Sequence, residues 1–212
     1  MERMGYDALN LGVPEISFGK EFLERTRSQI SFPYIASNLL YRGGRLTWIR
    51  EYVTKEVGGI KVAILGILDP DDFKKIPDQG DVKGFEVIPP KAALNRLLPK
   101  VRGKADLVIL LSQLGELREK ETLALAEAVQ GIDVVIFSEK NYLVTPTQKV
   151  ISFHTGTDGK IMGLVTIALD DQRALSVSER RIIPVDHSVP DNKEMLGLIE
   201  TYKKEQEIKK RK

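Results

Sequence analysis

Three apolar runs that alternate with segments of helical periodicity restrict the fold of this chain more than any other feature of its sequence. Strand–helix–strand units of this kind pair their strands in parallel through right-handed crossovers, which predicts a buried sheet of the α/β class. Ligands bind beside the carboxyl ends of the strands in such sheets. The runs are IKVAILGIL (60–68), DLVILLSQ (106–113) and DVVIFSE (133–139), and the helical segments between them are 90–101 and 116–129.

The other segments predict a mixed arrangement around this sheet. Gly58 and Gly59 separate two β-rich runs and predict a two-residue hairpin turn, because glycine accepts positive φ. The segment YIASNLL (34–40) predicts a strand, and the segment 69–90, rich in Pro, Gly and Asp, predicts a long surface loop. Three strand-like runs after residue 149 predict an antiparallel meander.

The C-terminal segment predicts a helix with a charged extension. Asp191 or Asn192 is a candidate N-cap, and Met195, Leu198, Ile199 and Tyr202 are predicted to form its apolar face. We therefore expect a globular domain over 1–190, and a helix and charged extension or linker over 191–212.

Composition excludes several classes of protein. With 42% hydrophobic and 29% charged residues and a net charge of +2, the chain has the profile of an ordinary globular protein. This charge argues neither for nor against a nucleic-acid partner, and we expect no nucleic-acid polymer as partner. The absence of cysteine excludes disulfides, thiolate metal sites and cysteine nucleophiles. No apolar run reaches the ~18 residues of a membrane span, and the N-terminus lacks the apolar core of a signal peptide. The cellular location is therefore left open.

Several polar residues have both a functional and a structural interpretation, and the structural one is favoured for each. Asp69, Asp71 and Asp72 are more typical of turns and helix caps than of a cation site. His154 is interpreted as a structural residue, His187 as a solvated one and Trp48 as a packing residue. Arg180 and Arg181 are predicted to point to opposite faces of a strand, which weakens their interpretation as an anion site.

Six blocks of the sequence resemble, in order and spacing, the catalytic N-terminal domain of the 5′-nucleotidase and UDP-sugar hydrolase family of metallophosphoesterases, which are calcineurin-like phosphoesterases. The resemblance implies a four-layer αββα sandwich of two mixed sheets, in a chain that starts inside a helix and lacks the first strands. The blocks are MGYDALNLGVPEISFG, FPYIASNLL, KEVGGIKVAILGIL, ADLVILLSQLGE, LALAEAVQGIDVVIFSEKN and GKIMGLVTIALD.

The resemblance also implies two divalent metal ions that clamp a phosphate and activate a bridging water. Two of the family's ligand motifs, Asp-x-His and Gly-Asp, would precede Met1. The other ligand positions fall on Val13, Pro14 and Glu15 (Asn-His-Glu), on Gln113 (a single His), and on Glu139 and Asn141 (His-x-His).

Of these positions only Glu15 keeps the family's residue, which predicts a catalytically degenerate domain that acts as a scaffold or interaction module and needs no cofactor. One alternative is a hydrolase of nucleotides or other phosphoesters, with an upstream segment or a rearranged metal site. A second alternative is a non-catalytic module that binds a nucleotide or a sugar.

Four polar residues predicted to converge at one sheet edge could form a residual site that holds Mg²⁺ or Ca²⁺ weakly. The simpler interpretation is that they are ordinary polar residues at the rim: Glu15, Gln113, Glu139 and Asn141. A domain without its first strands would expose a sheet edge, so we also expect self-association or a protein partner there.

Overall fold

A computed structural model describes residues 1–77, 82–114, 118–137, 150–154, 159–170, 172 and 174–210 of the chain. A 3₁₀ turn at Glu2–Met4 ends at Gly5 in the left-handed conformation, with φ of 69°. The helices are α1 (Val13–Ile16), α2 (Gly19–Arg27), α3 (Pro70–Phe73), α4 (Pro90–Arg102), α5 (Arg118–Ala128) and α6 (Lys193–Lys210).

The described residues form twelve strands in four sheets. The strands are β1 (Leu9–Asn10), β2 (Tyr34–Ile35), β3 (Leu39–Tyr41), β4 (Ile49–Arg50), β5 (Tyr52–Val57), β6 (Ile60–Leu68), β7 (Phe85–Val87), β8 (Leu107–Gln113), β9 (Val134–Phe137), β10 (Ile151–His154), β11 (Ile161–Leu169) and β12 (Leu175–Pro184). Their orders are β10-β9-β8-β6-β5, β1-β2-β4, β3-β7 and β11-β12.

The five-stranded sheet confirms the predicted parallel strands. β6, β8, β9 and β10 run parallel, and β5 joins them antiparallel through the predicted Gly58-Gly59 turn, where φ is +57° and +83°. Both glycines occupy a conformation that other residues adopt only with strain.

Two apolar cores lie on opposite faces of this sheet. Residues at one alternation of β6, including Leu65 and Ile67, pack with α4 and α5 in the first core, whereas Leu68 joins the second core with Ile16 of α1 and Leu23 of α2. Because successive strand residues point to opposite faces, β6 contributes to both cores. The molecule is a mixed α/β protein, as predicted, and its described strands form four sheets rather than the two that were expected.

The predicted strand at 34–40 is instead two strands in different sheets. Ser37 and Asn38 are fully buried between them. The Gly66 amide donates to Ser37 Oγ at 3.1 Å, and Asn38 Nδ2 donates to the Leu68 and Ile88 carbonyls at 2.9 Å. These bonds satisfy buried polar groups where the chain passes from β2 to β3, so the strand breaks there.

The prediction of a surface loop over 69–90 is wrong in part. This segment contains α3 and also β7, which pairs antiparallel with β3. Phe85 of β7 is buried in the second core, and its ring lies 5.1 Å from that of Tyr41. Burial of this aromatic pair stabilises a short strand that the Pro, Gly and Asp content conceals.

The predicted three-stranded meander is also wrong. β10 pairs parallel with β9 and continues the five-stranded sheet, whereas β11 and β12 form a separate antiparallel hairpin. Val150 packs in the first core, and Ser152 is fully buried. Burial against β9 therefore places β10 in the large sheet, although its sequence alternates like that of a hairpin strand.

Candidate functional site

The turn that joins β1 to α1 presents Gly12, Val13, Pro14 and Glu15. Glu15 Oε2 accepts a hydrogen bond from the Gly12 amide at 2.9 Å, which satisfies a donor at the start of the helix. Pro14 stands in the first turn, where no amide donor is needed. This local geometry explains why the segment folds as a turn and a short helix.

Gln113 meets this turn from the carboxyl end of β8. A Cβ atom placed on Gly12 would lie 2.6 Å from Glu15 Oε2 and 2.7 Å from Gln113 Nε2, so both side chains lie directly against the Gly12 backbone. Glycine at position 12 makes this close approach possible. The structure therefore brings together Gly12, Glu15 and Gln113, as expected for loops at one edge of the sheets.

A cleft of about 320 Å³ opens beside this cluster. Val13, Pro14 and Gln113 form one side of the cleft, and Asp72, Lys75 and Ile76 complete its lining. The Asp72 carboxylate is bound by the Lys75 ammonium at 2.7 Å. Val13 and Pro14 thus occupy the predicted edge with side chains that carry no ligand atom.

Asn10 belongs to the same region and was missed by the sequence analysis. Its Nδ2 donates to the Ile67 carbonyl at 3.1 Å and to the Leu111 carbonyl at 3.3 Å, so it joins β1 to both β6 and β8. A Cβ atom on Gly66 would overlap Asn10 Oδ1. The only hint in the sequence is a polar residue inside an apolar strand.

The acidic cluster after β6 serves the local fold, as predicted. Asp69 Oδ1 accepts from the Asp71 amide at 2.8 Å and caps α3, and Asp71 is paired with Lys74 at 2.7 Å. The hydrogen bond from Lys74 lowers the pKa of Asp71 below its ordinary value and raises that of Lys74.

The remaining candidates from the sequence are Trp48, His187, His154 and the arginine pair. Trp48 packs against the second core, which confirms it as a packing residue, and His187 lies exposed in a turn. Arg181 pairs with Glu179 on the same strand at 2.8 Å. Of Arg180 and His154 only the backbone position in β12 and β10 is described.

Two of the predicted ligand positions, Glu139 and Asn141, lie outside the described residues. Within the described ranges no three His, Cys, Asp or Glu side chains group closely enough to hold a metal ion. One carboxylate that caps a helix and one amide do not fit the ligand set of two divalent ions. The described residues therefore supply no metal site by themselves.

No helix in the described part of the chain is both long and apolar enough to cross a membrane.

Comparison with curated proteins identifies relatives of this chain. No family model matches the sequence. The sequence is 30% identical over 183 residues to the metallophosphoesterase YunD of Bacillus subtilis. The aligned region covers 83% of this chain and 38% of that protein. The sequence is also 27% identical over 123 residues to a 5′-nucleotidase of Vibrio cholerae. This aligned region covers 57% of this chain and 22% of that enzyme. The chain thus spans well under half the length of these two relatives.

Solved structures share the fold. The calcineurin-like phosphoesterase YfkN of Bacillus subtilis superimposes with a TM-score of 0.70 at 21% identity, covering 90% of this chain and 67% of that one. A 5′-nucleotidase precursor of Thermus thermophilus superimposes with a TM-score of 0.72 at 22% identity. The superposition covers 87% of this chain and 40% of that one.

These relatives overturn one expectation. The prediction that no cofactor is used is wrong, because the relatives are metallophosphoesterases, a class of enzymes that uses divalent metal ions. The resemblance to metallophosphoesterases and 5′-nucleotidases and the predicted mixed α/β class are confirmed, whereas the missing first strands and the degenerate ligand motifs stay predictions. The chain is thus similar in sequence to metallophosphoesterases and 5′-nucleotidases, and it shares the fold of a calcineurin-like phosphoesterase.

Proposed function

We propose that this chain is a degenerate metallophosphoesterase-like domain, which does not hydrolyse phosphoesters with its own residues and acts as a scaffold or interaction module. The observation that carries the proposal is the chemistry of the turn at the strand ends. Val13 and Pro14 line the cleft where the family's ligands are expected, and the Glu15 carboxylate is engaged by the Gly12 amide.

The chemistry of the family explains why this turn matters. Hydrolysis with two metal ions requires ligands that hold both cations close together, so that they stabilise the attacking and the leaving oxygen. Neutral amides and aliphatic side chains do not balance that charge. Divalent ions bound at this edge would need ligands from outside the described residues that line the cleft. What we propose is the absence of turnover, not the absence of bound metal.

Exposed apolar residues on the C-terminal elements support the interaction role. Single exposed apolar residues are normal, but a cluster of them often marks a protein interface. Residues of β11, β12, the turn that follows and α6 are between 37% and 60% exposed: Met162, Leu164, Ile182, Val185, Val189, Leu196, Leu198, Ile199 and Tyr202.

A phosphatase assay tests the proposal. The 212-residue protein is assayed with a generic aryl phosphate in the presence of Mn²⁺, Zn²⁺ or Mg²⁺, and we expect no turnover above that of the free metal. Glu15→Gln removes the charge but keeps an oxygen that can accept from Gly12, so it separates catalysis from capping. Glu127→Gln, on an exposed position of α5, is the matched control.

Metal-dependent turnover that Glu15→Gln abolishes and Glu127→Gln leaves intact would overturn the proposal. That result would establish the second candidate, a hydrolase of nucleotides or other phosphoesters. The convergence of Glu15 and Gln113 against Gly12 and the names of the relatives favour this candidate.

A further inference from the structure

Strand β11 has a partner strand on one of its two edges. It pairs with β12 over its whole length, from Ile161↔Pro184 to Leu169↔Leu175. Within the described part of the chain no strand pairs with its other edge. An unpaired edge presents a row of backbone N–H and C=O groups that can bond to a further strand. At nine residues, β11 offers a long row of this kind.

The hydrogen bonds at the two ends of β11 show which backbone groups point away from β12. The Lys160 carbonyl accepts from the Val185 amide at 2.8 Å. At the other end the Asp170 amide donates to the Ala174 carbonyl at 3.1 Å. Every second residue of an antiparallel strand bonds to the partner, and the bulge in this ladder adds its extra residue to β12. The residues that direct N–H and C=O outward are therefore Ile161, Gly163, Val165, Ile167 and Leu169.

β11 lacks the features that usually protect a strand edge. Charged side chains, prolines and bulges discourage pairing with another chain. The sequence of β11, IMGLVTIAL, contains no charged residue and no proline. β12 contains Glu179, Arg180, Arg181 and Pro184, and it also carries the bulge. Of the two edges of this hairpin, that of β11 is the one suited to a further strand.

The side chains of β11 leave room for a neighbour. Val165, Ile167 and Leu169 are only half-buried, and on the opposite face Met162 is 53% exposed. A Cβ atom placed on Gly163 would meet no other atom within 4 Å, so the space beside this glycine is open. Glycine inside a strand often marks a place where another backbone approaches closely.

We propose that β11 pairs antiparallel with β11 of a second copy of this chain, about a two-fold axis at Val165. The outward residues are symmetric about this position, so Val165 faces its own copy, Ile161 faces Leu169, and Gly163 faces Ile167. Each pair of outward residues exchanges two hydrogen bonds, so five pairs form about ten. All the facing side chains are apolar or absent, and the edge is complementary to itself, as a two-fold dimer requires.

Pairing in this way also completes the sheet. A two-stranded hairpin is marginally stable by itself, whereas three or more strands with an apolar face are stable. The dimer contains a four-stranded sheet in the order β12-β11-β11-β12, and the Ile167 side chain of one copy fills the space beside Gly163 of the other. This inference rests on the interaction role proposed above and identifies the partner as a second copy.

Hydrogen exchange at single amides, followed by NMR, tests the pairing. If the dimer has a Kd of about 100 μM, the outward amides should exchange about threefold more slowly at ~500 μM than at ~20 μM protein. The amides of Met162 and Leu164 face β12 and should be protected at both concentrations. Exchange of the outward amides at equal rates in the two samples would overturn the proposal.

Charge at the two-fold axis tests whether the partner is a second copy. Val165→Lys and Val165→Glu each place two like charges opposite one another, so each variant alone should have a lower mass than the wild type by light scattering at ~100 μM. An equimolar mixture places opposite charges at the axis and should restore the wild-type mass. Ser176→Lys, on an exposed position of β12, is the matched control and should behave like the wild type.

Two results of this experiment would contradict the dimer: no recovery of mass in a mixture of folded variants, or an equal loss of mass in Ser176→Lys. Circular dichroism shows whether the variants fold, and the exchange of wild-type amides decides the case if one does not. The phosphatase assay is a separate measurement. A monomer without turnover would therefore overturn this inference alone, and a dimer with metal-dependent turnover would overturn only the proposed loss of catalysis.

Discussion

At the scale of single residues, buried polar side chains decide where the backbone changes direction. Asn38 is fully buried and bonds to both the amide and the carbonyl of Leu68 and to the carbonyl of Ile88. A buried polar group is stable only when it is hydrogen-bonded, so these residues fix one arrangement of the neighbouring strands. Asn10 joins β1 to the large sheet through its Nδ2 alone, because its buried Oδ1 has no hydrogen-bond partner.

We expect Asn38→Ala to lower the free energy of unfolding by about 3 kcal/mol, because it leaves buried backbone groups without partners. Urea denaturation followed by circular dichroism measures this change. Asn95→Ala, on an exposed position of α4, should change the stability by less than ~0.5 kcal/mol. A loss for Asn38→Ala no larger than for Asn95→Ala would show that its hydrogen bonds contribute little.

The location of a candidate ligand residue could be predicted from the sequence only where that residue follows a regular strand. Val13, Pro14, Glu15 and Gln113 lie at strand ends that the apolar pattern indicates, and they lie at one edge in the structure. That Val13 and Pro14 replace metal ligands stays a prediction.

At the scale of elements, the β5–β6 hairpin shows how local chemistry can determine a structure. Its turn needs positive φ at two successive residues, and the sequence provides Gly58 and Gly59. The pairing continues from Val57↔Ile60 to Tyr52↔Leu65 without a bulge. β7 was predicted less well because its partner β3 lies far away in the chain, whereas β10 was misassigned because its sequence alternates like that of a hairpin strand, although its partner β9 is the preceding strand.

Gly59→Ala is expected to lower the free energy of unfolding by about 1 kcal/mol, because alanine is strained at φ of +83°. Gly103→Ala is the matched control, since Gly103 has φ of −68° and a Cβ there would meet its nearest neighbours at 4.0 Å. Thermal or urea unfolding should show a loss for Gly59→Ala and no loss for Gly103→Ala. Equal effects of the two substitutions would contradict the role of φ.

At the scale of the whole molecule, two cores share β6, and the C-terminal elements add exposed apolar residues. An antiparallel pair of strands is marginally stable alone unless it packs against other elements. The β11–β12 hairpin carries exposed Met162 and Ile182 on opposite faces, and α6 carries exposed Leu198 and Ile199. Self-association stays a prediction, and besides the edge of β11 the exposed apolar residues of α6 are where we expect it.

We expect the protein to self-associate at concentrations of about 100 μM, as weak interfaces of modest area do. Ile199→Lys should shift the mass measured by light scattering towards that of a monomer, because it places a charge in the apolar surface. Thr201→Lys adds the same charge to α6 without removing an apolar side chain. A monomer at all concentrations, or equal effects of the two variants, would count against this interface.

The sequence by itself determined the parallel strands β6, β8 and β9, the helices between them, the glycine hairpin and the resemblance to a metallophosphoesterase domain. These features follow from periodicity and turn chemistry within about 20 residues of chain. Only the tertiary structure decided the break at Ser37 and Asn38, the pairing of β10 with β9 and the cleft beside Gln113. The break and the cleft depend on contacts between distant segments, and the place of β10 depends on packing in the first core, which its alternating sequence does not reveal.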